Sequence, residues 1–560
     1  MGSEKINMTK NNYLNWSNDE LVKEIERLKK RKKYGLVWEE KPEDVVELCK
    51  TKLPILKEVK NKEIINDKNK SVNLLIEGDN YHALSVLNYT HEKKIDVIYI
   101  DPPYNTGAKD WKYNNDFVDI NDSYRHSKWL SMMSKRLLIA KNLLKDDGVL
   151  ICAIDDNEFY RLGILLEQIF SGREIHCVTI VHNPRGIQGN NFSYTHEYAY
   201  FVFRKNLEVI GPRKIKEADV DYNNLRNWGS ESLRTDARNC FYSIIVKNDK
   251  IVDFGDVLDN NIHPKKQTEK VKDNYYVYPI DKNGIERKWR YARQSVEEVK
   301  HLLRAKKTNG GYEIEIGKDF GTVRTVWQDS RYDANEYGTK IVHTLVPSSH
   351  FDFPKSVYNT FDCIAPILYQ RKNAIVLDYF AGSGTTGHAV MILNKEDDGN
   401  RRFILCTNNE NKIAEEVCYP RIKKVIVGHK NYPDITKISS NLKYFKTDSV
   451  DAEPTDKNKK KLTEQTTEML CIKEGTFEIV VNQQKIKIFK DENHYMGIIF
   501  DQLAIPEFKK KIKDMNAKFS VYIFSLGDDT FDEEFEDIKK KVKLSPIPEA
   551  ILRVYRRIFK

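Results

Sequence analysis

The 560 residues exceed what one ordinary hydrophobic core holds, so several domains are expected. With 40% hydrophobic and 31% charged residues, and no run of the roughly 18 apolar residues a membrane helix needs, the composition is globular and the cytoplasm is the expected location. A formal net charge of +9 suits a polyanionic partner without requiring one, and eight cysteines with no C-x-x-C pair argue against a metal or dithiol site, so no metal is expected.

The opening MGSEKINMTKNN lacks an apolar segment for secretion, and Ile6 stands where a myristoylation signal wants Ser or Thr. Residues 1–70 read as a helical region, with Leu21, Ile25 and Leu28 at helical spacing running into the basic stretch Lys29 to Lys33. From Ser71 to residue 204 the texture changes to short β-branched runs, VNLLIEG, IDVIYI and GVLICAI, alternating with helical patterns such as Trp129 to Leu144. This is the rhythm of a doubly wound, mainly parallel α/β sheet. Residues 205–340 are irregular, aromatic and polar, and read as an inserted domain. The parallel-sheet signature resumes over 341–448 with AIVLDYF, a glycine-rich turn, a helix from Thr386 to Leu393 and RRFILCT. After it, SVDAEPTDKNKKKL, with Lys457 to Lys461, reads as a solvated linker. The rest of 449–560 reads as an α+β module: a hairpin in TFEIVVNQQKIKIF, a helix near Pro506 to Met515, the strand FSVYIFSL and a terminal helix from about Pro546.

Two motifs carry chemistry. Asp101-Pro102-Pro103-Tyr104 directly follows the strand IDVIYI, at the carboxyl edge where open α/β sheets bind ligands. An aromatic exocyclic amine is a poor nucleophile until two acceptors hold its N–H groups. The Asp101 carboxylate and the Pro102 carbonyl can do so, with the paired prolines stiffening the loop and Tyr104 offering a ring for stacking on an extruded base. Asp101 orients the amine and stabilises charge, and the proton leaves only after an electrophile has added to the nitrogen.

The second motif runs Asp378-Tyr379-Phe380-Ala381-Gly382-Ser383-Gly384-Thr385-Thr386-Gly387. Its G-x-G-x-x-G also fits a dinucleotide site, while His388 excludes a phosphate-binding loop lysine. Asp378, four residues before the first glycine, repels a pyrophosphate but welcomes the ammonium and sulfonium of S-adenosylmethionine. Phe380, Ala381, Gly382, Gly384 and Thr385 then approach the methionine moiety. Asp79 and Asn80, after VNLLIEG, can reach the cofactor's adenine, and Glu410, with Asn409 beside it, its ribose.

These residues resemble the β-group of DNA amino-methyltransferases, in which the proline motif precedes the glycine motif and a target-recognition region lies between. DPPYNTG, HEYAYFVFRK, FDFPKS and LDYFAGSGTTGHAV are similar to segments in modification subunits of type III restriction systems. The resemblance implies a Rossmann-like methyltransferase sheet with circularly permuted motif order, an inserted target-recognition domain, and helical N-terminal and α+β C-terminal additions. It implies adenine N6 as the target, because relatives acting on cytosine N4 commonly start the motif with Ser, and S-adenosylmethionine as the cofactor. It also implies Phe353 and Lys355 at the methionine end, a homodimer, double-stranded DNA as substrate and a separate helicase-nuclease partner. Pro103 and Asn105 are expected beside the target base, and Arg226, Arg234 and Arg290, among the aromatics Trp228, Trp289 and Tyr291 of the insert, at DNA. The rival readings are the same chemistry on RNA and an inactive DNA-binding subunit.

Overall fold

The computed structural model describes residues 16–30, 35–188, 191–215, 220–349, 351, 353–491 and 494–559. MGSEKINMTKNN lies outside the described residues, as does the basic run Lys29 to Lys33 apart from the backbone of Lys29 and Lys30. Those two residues end a helix, Asn18–Lys30, at whose start Ser17 and Glu20 exchange hydrogen bonds in a capping box.

Ten strands form one sheet: β1 (Lys52–Glu58), β2 (Val72–Glu77), β3 (Ile95–Ile100), β4 (Leu144–Ile154), β5 (Arg173–Val181), β6 (His196–Arg204), β7 (Val326–Gln328), β8 (Ile375–Asp378), β9 (Arg402–Thr407) and β10 (Asn441–Asp451). Their order is β1-β10-β2-β9-β8-β3-β4-β6-β5-β7. The run from β10 to β4 is parallel throughout, and only β1 and β6 run against it. The continuous apolar runs read from the sequence are central strands: β3 and β8 are buried along their whole length.

Alternation along these strands sorts the helices. Ile98, Ile100, Leu377, Tyr379, Ile404 and Cys406 share one core with α1 (Asn80–Thr90), α2 (Arg125–Lys141) and α3 (Phe159–Ile169). The alternate residues Phe403 and Leu405 face the other way, where α5 (Thr385–Asp397) and α6 (Tyr419–Val427) pack beside α4 (Val357–Leu368). Helices on both faces make the sheet doubly wound. The helix expected to reach Leu144 stops at Lys141, and β4 starts at Leu144, running through Asp146-Asp147-Gly148 with a register shift opposite β3.

The chain divides into two compact units, Met1–Val209 with Arg324–Lys560, and Ile210–Val323. The second is narrower than 205–340, because β7 has already rejoined the sheet beside Thr179–Val181. Within the second unit, a four-stranded and a three-stranded antiparallel sheet enclose a core of Leu225, Tyr242, Ile244, Val277, Trp289 and Ile314. At the other end of the chain, Glu478–Asn482, Ile486–Lys490, His494–Ile499, Lys518–Phe524 and Val542–Ile547 form a five-stranded sheet. Two readings there are corrected. Lys457 to Lys461 lie in a helix, Asp456–Glu464, capped by Thr455 and anchored by buried Leu462, rather than in a linker. Pro546 lies near the end of an edge strand, where a missing N–H is tolerated, and the last helix starts at Glu549.

Gly387 packs α5 tightly against the sheet and α6: a Cβ there would stand 3.0 Å from Leu405 Cδ1 and 3.1 Å from Ile422 Cδ1. Gly387→Val is expected to lower stability by about 1–3 kcal/mol through overpacking, read as a lower urea midpoint with unchanged slope.

Candidate active site

The register of β8 on β3 decides the geometry. Val376 pairs with Val97 and Leu377 with Ile98, so both strands end at the same edge, on neighbouring positions about 4.8 Å apart. Asp101 follows the last residue of β3 and Asp378 is the last of β8. The charge of Asp101 is among those that raise the Asp378 pKa, which puts the two carboxylates in one electrostatic neighbourhood.

Around Asp101, Pro102 is buried, and the Pro103 carbonyl accepts from Trp129 Nε1 at 2.7 Å, which pins the loop to α2. The Tyr104 hydroxyl donates to Glu197 Oε2 at 3.2 Å. Lys355 donates to Glu197 and to the Tyr104 oxygen, and its ammonium lies 3.5 Å from Asp101 Oδ1. Asn359 Nδ2 donates to Glu197 Oε1 at 2.7 Å, and His182 Nδ1 stands 4.0 Å from Glu197 Oε2. Burial pushes the Asp101 carboxyl up and the Lys355 ammonium draws it back. Glu197, more deeply buried but bonded to that ammonium, is held below the usual range for a carboxylate.

At the glycine motif, Asp378 Oδ1 accepts from Phe380 N at 2.9 Å and Oδ2 from Thr386 Oγ1 at 2.5 Å, which closes the turn from strand to helix. Gly382 and Gly384 hold φ of +49° and +83°, the left-handed region that favours glycine, and Gly384 caps α5. Ala381 N donates to Cys406 O at 3.1 Å, binding the turn to β9. Phe380 is half-buried with its ring 5.2 Å from that of Tyr379. Beneath the turn, fully buried Arg421 donates to Ser383 Oγ and Thr385 Oγ1, each at 2.8 Å, so the Thr385 hydroxyl is already engaged. Burial alone brings the Arg421 guanidinium down to about 10. Asp378 is 3% exposed, its carboxyl is pushed up to about 7 by burial, and among the described residues no cation pairs with it.

Asp79 caps α1 by accepting from Tyr81 N at 2.7 Å. Asn80 donates to the Tyr379 carbonyl at 2.9 Å and accepts from Arg136, whose guanidinium is held by Glu43 at 2.6 Å. Asn80 thus fastens the end of the glycine strand to α1, and Asp79 caps that helix. Glu410, beyond β9, pairs loosely with Lys112 at 3.9 Å, and Asn409 donates to Glu415 at 3.2 Å.

Several expectations are corrected. Lys355 belongs to the Asp101 cluster rather than to the methionine end, because Glu197 and Tyr104 take its ammonium. Phe353 is 88% exposed, and the aromatic that faces Gly382 is Phe351, whose Cζ would lie 3.5 Å from a Cβ there. Asn105 is fully buried, accepting from Trp111 Nε1 at 3.0 Å and donating to Glu158, so it braces the loop instead of meeting a base. Arg226 is 4% exposed and bonded to Ile280 O, while Arg234 is 7% exposed and donates to the carbonyls of Leu258, Asp259 and Ile262. Both guanidiniums hold the insert together and are withdrawn from phosphate. Trp289 is a core residue bonded to the Tyr242 carbonyl at 2.9 Å. Arg290, Arg238 and Trp228 remain exposed on the insert. Glu197 and Asn359 were missed. Glu197 follows His196 in its strand and Asn359 precedes Thr360 and Asp362 in its helix, so composition singles out neither.

The model of a family described as DNA methylase matches residues 95–417, across both motifs and the insert. The chain belongs to the DNA methylase family. The type II methyltransferase M.KpnI of Klebsiella pneumoniae is 31% identical over 66% of this chain and 88% of its own length. The Mod subunit of the type III restriction-modification enzyme StyLTI of Salmonella typhimurium is 31% identical over 66% of the chain, and that of EcoPI of Escherichia phage P1 is 29% identical over 61%. The methylase spans 58% of the length of each of these Mod subunits. A solved DNA modification methylase of Thermus thermophilus matches 67% of this chain and 98% of its own at 11% identity and a TM-score of 0.31.

Removing the buried Arg234 guanidinium takes one donor from each of the Leu258, Asp259 and Ile262 carbonyls and leaves Glu286 with His263. Arg234→Met in the methylase is expected to cost roughly 3–5 kcal/mol in denaturant unfolding. Weaker DNA binding at unchanged stability would instead mark Arg234 as a contact.

Proposed function

We propose that the methylase moves a methyl group from S-adenosylmethionine to N6 of adenine in double-stranded DNA, on a nucleotide extruded from the helix. The observation that carries this reading is the placement of Asp101 and Asp378 on neighbouring parallel strand ends, within each other's electrostatic reach. One loop offers acceptors for an amine and the next a buried negative charge for a cation.

The residues of the turn fit that cofactor. Asp378 is a buried carboxylate with no paired cation among the described residues, and Gly382 presents backbone without a Cβ beside Phe351, while Gly384 lets the turn pack on Cys418 and Ile422. Asp378 would hold the ammonium, Phe380, Ala381, Gly382 and the N–H groups at the start of α5 the methionine moiety, and Asp79, Asn80 and Glu410 the adenosine part. When bound, the cofactor supplies an electrophilic methyl on a sulfonium. The chain's own residues do the rest. Asp101 and the Pro102 carbonyl accept the two N6 hydrogens and free the nitrogen lone pair, and the net negative charge of the Asp101 cluster stabilises the cationic nitrogen formed. Once N6 has taken the methyl, Asp101 would accept the surplus proton of the cationic nitrogen. Tyr104 provides a ring against which the extruded base can stack.

Adenine rather than cytosine N4 follows from Asp at the head of the motif. By likeness to the Mod subunits, the methylase acts as the modification subunit of a type III-like system, dimerises and works with a separate restriction subunit. Arg290 and the exposed residues of the insert are the candidates for DNA contact.

Asp101→Ala is expected to lower the methylation rate by roughly 10²–10³ while calorimetry shows cofactor affinity kept, with N6-methyladenine as the wild-type product in digested DNA by mass spectrometry. N4-methylcytosine as that product would overturn the adenine assignment. Ionising Asp378 is disfavoured by burial, so its stability cost grows as pH rises from the ordinary carboxylate range toward about 7, and a bound cation offsets it. Cofactor affinity is therefore expected to rise with pH up to about 7 and then level off, and Asp378→Asn to be weaker and flat across that range.

A further inference from the structure

Glu197 plays no part in the chemistry above, yet no side chain beside Asp101 is more firmly held. It comes from β6, is 4% exposed, and turns both oxygens inward, Oε1 to Asn359 and Oε2 to Tyr104 and Lys355. Asn359 is itself 1% exposed and fixed on α4, one turn after the segment that carries Lys355. A carboxylate and an ammonium withdrawn from water are costly, and stability alone does not select them over apolar side chains of similar volume. Their arrangement is also asymmetric. The ammonium is hydrogen-bonded to Glu197, whereas Asp101 Oδ1 stays 3.5 Å away. Two carboxylates around one ammonium leave the cluster with one net negative charge.

We propose that Glu197 and Lys355 are positioning residues of the methylation centre: Glu197 takes the closer hold on the Lys355 ammonium, so that its positive charge stands beside Asp101 at 3.5 Å without closing fully on the oxygens that meet the target amine. This rests on the amine-methylation reading above. Without the negative charge of Glu197, Asp101 becomes the carboxylate in ion-pair contact with Lys355, with Asp155 acting on it only through its charge, and the pair closes. Without Lys355, Asp101 faces the like charge of Glu197 directly. On proton loss from the cationic N6, Asp101 becomes neutral and the Lys355–Glu197 pair remains balanced, so the cluster passes from one negative charge to none.

The other groups around Asp101 are fixed in both cases. Tyr99 lies on its own strand, Tyr104 on its own loop, Cys152 on β4 and Asp378 on β8. His182 faces Glu197 from beyond β5, with His196 and Asp333 further out, and Asp155 faces Lys355.

The test is the pH profile of kcat at saturating cofactor and DNA for the wild-type methylase, Glu197→Gln and Lys355→Met, with cofactor affinity measured beside it. Glu197→Gln is expected to move the acid limb to lower pH and Lys355→Met to higher pH, each by about one unit or more, with kcat at neutral pH reduced about tenfold or more and cofactor affinity retained in both. Lys355→Arg, which keeps the charge, is expected to leave the acid limb in place while lowering kcat. Acid limbs that stay put in all variants, or move in the same direction in both charge-removing ones, would overturn the proposal, as would parallel loss of cofactor binding. The profiles are read on whichever base carries the methyl, so a wild-type product other than N6-methyladenine would strike the adenine assignment and leave these shifts to decide the role of Glu197 and Lys355.

Discussion

The parallel pairing of β8 with β3 is the constraint on which everything else depends. Neither the proline loop nor the glycine turn carries a complete site, and the chain between them includes a whole separate unit. The two meet because Val376 and Leu377 lie level with Val97 and Ile98 in the middle of a buried sheet. A slip of one residue there would turn every side chain of β8 to the opposite face and take Asp378 away from the side on which α4 and α5 pack. The apolar burial of β3 and β8 therefore fixes register, and register fixes chemistry.

Around that edge the charges are arranged unequally. Burial raises the pKa of Asp378, whose oxygens are bonded to Phe380 N and Thr386 Oγ1, and among the described residues no positive group pairs with it. The Asp101 cluster holds its own ammonium and still carries a surplus negative charge. Both features cost folding free energy in the free chain and both suit a reaction in which positive charge enters on one group and leaves on another. Arg421 is the reverse case. It is a buried cation that supports the turn through two hydroxyls, and its depressed pKa records the cost of placing it there.

The strands, the crossover helices and the two motifs were legible because their signals are local: continuous apolar runs, strand ends marked by Asp, and glycines at a turn. Asp101 and Asp378 followed from those signals. Burial of polar residues was not legible. Arg226, Arg234 and Asn105 have the composition of a binding surface, and only the folded chain shows their donors engaged by internal carbonyls and carboxylates. Lys355 was assigned to the wrong half of the site because FDFPKS is adjacent in sequence to neither motif, and its partner Glu197 reads as one charge in an otherwise ordinary strand. The helix Asp456–Glu464 escaped notice because its lysines dominate the composition while a single leucine anchors it.

The most direct test of the shared edge is an experimental structure of the methylase with S-adenosylhomocysteine bound. The account predicts the ligand's ammonium on Asp378 and its sulfur turned toward the proline loop, so that an amine held by Asp101 could approach to the roughly 3–3.5 Å of reacting atoms. A ligand seated at another edge of the sheet, with its sulfur pointing away from Asp101, would contradict it.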